Sequence, residues 1–156
     1  MRQQRQLWLT FGIGERLFGL CAEHVLEVIP FVTLRAPPAG MPDWMRGVAD
    51  YHGTLLPVAD LSRMAGAPPA CDFLSTRIFI VHPPDQPEKM AGLLAERATD
   101  TQWVAAKARP VATDNDLPAW TTSLTSDTGI PLALVHLEQL PLFVDWNPIR
   151  KGVSGS

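Results

Sequence analysis

WMRGVADYHGTLLPVADLSRMAG, residues 44–66, holds two apolar runs separated by a polar turn. Both runs are short and strand-like, the second over Leu55 to Val58, and Asp50, His52 and Gly53 lie between them, which is the pattern of two strands joined by a turn. The second run is apolar at successive positions, as expected of a strand covered on both faces. Pro57 must then lie at an edge or a bulge, where no ladder N–H is needed. Asp60 precedes Leu61, Ser62, Arg63 and Met64 as a helix cap would, and Gly66 supplies the stop. The stretch carries no nucleophile–base pair and no metal-ligand spacing.

Working outward, Leu7, Leu9 and Phe11 alternate with Trp8 and Thr10, a period-2 strand with one strongly apolar face. Gly12-Ile13-Gly14-Glu15 turns the chain into a second strand over residues 16–21, so the chain opens on a hairpin. Residues 78–81 are again apolar on both faces. Residues 89–99, KMAGLLAERAT, are rich in helix formers. Residues 36–42 form a proline-stiffened connector and residues 83–87 a turn, while residues 106–130, rich in Pro, Asp, Thr and Ser, are expected to be exposed and irregular. With 15 prolines and 11 glycines in 156 residues, short strands and turns are favoured over long helices, and the fold class is mostly β.

That length suits one domain, which buries about two-thirds of the surface of its unfolded chain without a metal or disulfide staple. Cys21 and Cys71 lack zinc spacing. The net charge of −3, with both signs interleaved, provides no basic face for nucleic acid. No apolar run approaches the ~18 residues of a transmembrane helix, so no direct membrane insertion is expected. Residues 7–11 are too short for a signal-peptide core, which makes the cytoplasm the simplest compartment.

Enzyme motifs are missing. Gly12-Ile13-Gly14 has no third glycine for a dinucleotide loop, and neither a phosphate loop nor a Gly-x-Ser-x-Gly elbow occurs. His24, His52, His82 and His136 are scattered. A catalytic site assembled from distant residues stays open as an alternative, a small β-barrel enzyme or ligand-binding module.

Gly47-Val48-Ala49-Asp50-Tyr51-His52-Gly53 followed by Pro57-Val58-Ala59-Asp60-Leu61 resembles the CheW-like chemotaxis coupling proteins, whose pattern runs Gly-Val-Ile-Asn-Leu-Arg-Gly and then Pro-Val-hydrophobic-Asp-Leu. Val25-Leu26-Glu27-Val28-Ile29 resembles the family's Val-x-Glu-Val-Ile. Residues 7–11, 16–21, 75–81, 92–97 and 132–140 resemble its other blocks in order. The resemblance implies a CheW-like fold of two small five-stranded SH3-like β-barrels packed together, with short helical segments. It places a strand over residues 92–98, which decides that segment against helix. It also implies a lead over residues 1–6, a domain over 7–146 and a flexible C-terminal tail over 147–156.

By the same resemblance the chain is a non-enzymatic scaffold without a cofactor. It would couple the regulatory domain of a CheA-type histidine kinase to the cytoplasmic tip of a chemoreceptor, and be recruited to the inner membrane through receptor arrays. The Asp-Tyr-His-Gly variant looks closer to couplers of non-flagellar chemosensory systems. A module binding one partner and competing with the true coupler is the alternative.

The residues implied for partner binding are Glu27, Asp50, Tyr51, His52, Val28, Leu56 and Val58. In the family, the Glu of Val-x-Glu-Val and the Arg of Asn-Leu-Arg-Gly lie close together on the partner surface, and His52 stands at that Arg. A His–carboxylate pair depends on protonation and lacks the guanidinium fork. His52 is therefore read either as a partner of Glu27 or as a turn residue in a left-handed conformation before Gly53. Asp50 suits an Asx turn. Tyr51 and Trp44 have the amphipathic or bulky rings of both cores and interfaces. Val25, Val28, Leu56, Val58 and Leu61 either fill the barrels or line a groove between them.

Overall fold

The computed structural model describes residues 5–105 and 116–146. Among them are nine strands: β1 (Arg5–Ile13), β2 (Arg16–Cys21), β3 (Val25–Pro30), β4 (Met45–Tyr51), β5 (Thr54–Asp60), β6 (Arg77–Val81), β7 (Ala91–Ala105), β8 (Thr121–Thr125) and β9 (Pro131–Val135). Two single-turn helices, α1 (Leu61–Met64) and α2 (Pro141–Val144), complete the described elements with two 3-10 turns.

The strands form two lobes that share β7. Lobe A runs β7-β1-β2-β9-β8 and lobe B runs β3-β6-β7-β5-β4. The first part of β7, Ala91 to Ala95, pairs with β6, and its Gly92, Leu93 and Leu94 also pair with β5. Its second part, Asp100 to Ala105, pairs antiparallel with β1. Strand, not helix, is thus the structure of residues 91–105, because both edges of the first part are taken by neighbours that outweigh the helix propensity of Met, Leu and Glu.

Each lobe has the five strands that the resemblance implied, but the ladders stay open, which corrects the expectation of barrels. Isolated bonds bring the ends together. In lobe B, Arg35 and Val48 exchange two backbone bonds of 2.9 Å, and in lobe A the Asp127 N–H donates to the Trp103 carbonyl at 2.9 Å. A second correction concerns residues 106–130. Thr121 to Thr125 form β8, because each pairs with a residue of β9; residues 106–115 lie outside those described. The expected lead and tail fall largely outside them too, and β1 begins at Arg5.

Alternation sorts the core into three clusters. Phe79, Val81, Ala59, Leu93, Ala133 and Val135 face a large central cluster between the lobes, together with Phe11, Phe18, Leu20 and Trp120. Their neighbours Ile78, Ile80, Val58 and Leu94 fill lobe B, and Leu132 and Leu134 fill lobe A. This explains runs apolar on both faces: each strand closes one lobe with one face and the shared middle with the other. Pro57 sits just before β5 gains β7 as a second neighbour at Val58, where only β4 is alongside.

Asp60, 1% exposed, ties the end of β5 to α1 and to the loop beyond it. Its Oδ1 accepts from the N–H of Ser62 at 3.0 Å and of Arg63 at 3.4 Å, the cap expected for α1. Its Oδ2 accepts from Ala70 N at 2.9 Å and Arg46 Nη1 at 2.9 Å. Trp44 packs against the central cluster.

Candidate interaction surface

β3 pairs only with β6, so its outer edge has no strand neighbour among the described residues. Leu26 on this strand is 52% exposed and Val28 41%, and the Glu27 side chain between them is also open to solvent. Edge strands are usually protected by charge or proline. Here Glu27 and the terminal Pro30 are the only such residues in an otherwise apolar strand.

Glu27 leans toward the β4–β5 hairpin. Tyr51 donates its hydroxyl to Glu27 Oε1 at 2.7 Å, while its ring packs on the lobe B cluster. The bond to the carboxylate is the largest cause holding the phenol pKa above its ordinary value, since losing the proton would set two anions side by side; desolvation adds to it. His52 Nε2 lies 3.8 Å from the same Oε1, and the His52 ring meets the Tyr51 ring edge-on at 4.4 Å between centroids. At 77% exposure His52 is the looser partner.

His52 occupies the turn as well. Its φ of 50° and the φ of 84° at Gly53 are both left-handed, as a two-residue hairpin loop requires. Asp50 Oδ1 accepts from Gly53 N at 2.9 Å, the expected Asx-type closure. The two readings of His52 are therefore compatible: the turn presents its ring beside Glu27.

Val28 points elsewhere. With Phe79 it forms one wall of an open groove of about 400 Å³, whose other wall is Leu9, Thr10, Ala98 and Thr101, with Arg77 and Asp100 as its charged groups. The groove lies where β7 passes from one lobe to the other.

Leu56 and Val58 are corrected as surface candidates. They are 2% and 0% exposed inside lobe B, because the inward face of β5 is roofed by Ile78, Ile80 and Leu94. The proposed residues thus divide into an exposed corner of Glu27, Asp50, Tyr51 and His52, a groove residue, Val28, and two core residues. Sequence reasoning missed the groove walls on β1 and β7. Leu9 and Ala98 read as ordinary apolar strand positions, and only the pairing of β1 with β7 brings them to Val28.

Among the described residues, no group of three His, Cys, Asp or Glu side chains could hold a metal ion, and no helix is long and apolar enough to cross a membrane.

The comparisons agree with this architecture. A family model described as the CheW-like domain matches residues 7–141. The crystal structure of the scaffolding protein TtCheW from Thermoanaerobacter tengcongensis is similar, with a TM-score of 0.73 at 20% identity over 87% of each chain. A search of curated proteins finds no match.

Proposed function

The chain belongs to the CheW-like domain family, and we propose that it is a non-enzymatic adaptor that joins a chemoreceptor to a CheA-type histidine kinase. The observation that carries this reading is the exposed apolar edge strand, with Leu26 and Val28 open to solvent beside a groove spanning both lobes. Monomeric surfaces scatter such residues singly; here two stand on one short strand whose outer edge has no strand neighbour among the described residues, as at a protein interface.

In this reading the kinase regulatory domain and the cytoplasmic receptor tip bind separate surfaces of one rigid module, which works in the cytoplasm and reaches the inner membrane through the receptor. Signal then passes as a coupling free energy, each interface favouring one kinase state. The Glu27–Tyr51–His52 corner tunes the receptor side. His52 stands where the resembling proteins place a guanidinium, and the hydrogen bond to the Glu27 carboxylate comes instead from the neighbouring Tyr51 hydroxyl, so the corner lacks the fixed, forked positive charge of an arginine.

Recovery of the tagged chain from its native cells after mild crosslinking tests the proposal. Mass spectrometry should identify a histidine kinase together with a membrane chemoreceptor. A kinase alone would favour a competitor that binds one partner, and neither would overturn the adaptor reading.

A further inference from the structure

β7 does not cross between the lobes as a regular strand. On β1 the pairing advances from Thr10 to Gly12, while on β7 it advances from Asp100 to Glu96. Two extra residues are thereby accommodated on β7, a bulge of the kind that bends a strand and re-aims the residues beyond it. Within it Arg97 has a φ of 50°, a left-handed conformation in which glycine is the default residue. The Ala98 N–H leaves the ladder and donates to the Ser75 carbonyl at 2.9 Å.

An arginine held where glycine would rest more easily points to use of its side chain. The Arg97 guanidinium lies over Gly12 and donates to the Gly14 carbonyl in the β1–β2 turn. A Cβ built on Gly12 would overlap that guanidinium, so the side chain occupies space that only glycine leaves. The residue at the lobe junction is thus fastened to the first hairpin of lobe A. The groove straddles the same junction, with Leu9, Thr10, Ala98 and Thr101 facing Val28 and Phe79.

We propose that Arg97 is a positioning residue: its guanidinium, seated on Gly12 and bonded to Gly14, fixes the bend of β7 and with it the angle between the lobes and the width of the groove. The inference rests on the adaptor reading only for what would occupy the groove. Lobe geometry itself can be measured without a partner.

The test is backbone residual dipolar couplings of the full chain and two variants. Arg97→Gly removes the guanidinium while easing the backbone, and Gly12→Ala displaces the guanidinium while keeping it. In each variant the couplings within either lobe should still fit that lobe's geometry, whereas the two alignment frames should rotate relative to each other in the same sense. Unchanged relative frames in Arg97→Gly would overturn the proposal, whatever happens to stability. Arg97 is exposed, so that variant decides the matter even if Gly12→Ala does not fold.

Discussion

Tyr51 and Glu27, twenty-four positions apart, meet in a 2.7 Å hydrogen bond that joins the β4–β5 hairpin to the outer strand of lobe B. Tyr51 is the only tyrosine in the chain, so absorbance titration of the phenolate reads this one site. Its folded pKa is raised by the bond to Glu27, and the bond's contribution is therefore intact below the ordinary tyrosine pKa of about 10 and lost as pH climbs through the folded value. The native midpoint should lie above that of the unfolded chain. Glu27→Ala should bring it down; an unshifted midpoint in that variant would show that the carboxylate does not hold the proton.

Val28 and Val58 share a chemistry but not a fate. Val58→Ala opens a hole in the lobe B cluster and should lower unfolding stability by about 1–3 kcal/mol in urea titrations. Val28→Ser removes a solvent-facing side chain and should cost under about 0.5 kcal/mol. In crosslinked recovery from cells, however, Val28→Ser should reduce the receptor yield.

Asp60 gathers four donors into a buried carboxylate. Asp60→Ala leaves the Ala70 amide and the first turn of α1 without an acceptor and should destabilise by about 3 kcal/mol. Arg46→Ala should cost less, since Arg46 is partly solvated and the backbone donors keep their partner. Denaturant midpoints of the two variants give the order directly.

The cysteines should separate by rate. Burial pushes the Cys21 thiol pKa up, which depletes its reactive thiolate, whereas Cys71 lies exposed. A disulfide reagent at neutral pH should titrate one thiol rapidly and the second only after denaturation. Cys71→Ser should abolish the fast phase.

At the hairpin tip, His52→Asn keeps a left-handed turn with a residue that prefers it and should hold or raise stability by up to about 0.5 kcal/mol, measured by thermal unfolding. His52→Val should lower it by about 1–2 kcal/mol, because a branched side chain resists positive φ.

Much of this was legible in local pattern. The hairpin of β4 and β5, the Asp60 cap and the Asx turn at Asp50 each depend on residues within a few positions of one another. What escaped depends on distant pairing. Leu56 could not be told from Val28 by period, since both stand in apolar runs and only the roof over β5 distinguishes them. The polar composition of Thr121 to Thr125 reads as loop, yet β9 supplies it with a full ladder. The guanidinium of Arg97 finds Gly14 across more than eighty positions, a contact that no short-range signal announces.

Because β7 serves both lobes, the chain completes lobe B before it can complete lobe A. Leu9 waits for Thr101 and Phe18 for Ala133, separations of roughly a hundred residues that place closure late and make it slow. The β1–β2 hairpin is synthesised before the strands that complete it: Ala59, Phe79 and Leu93 cover part of the apolar face of Phe11, Phe18 and Leu20, and Ala133, Val135 and the residues after them cover the rest. Lobe A is therefore the part that stays incomplete longest on the growing chain, the interval in which unburied apolar surface and unpaired strand edges expose a chain to misassembly.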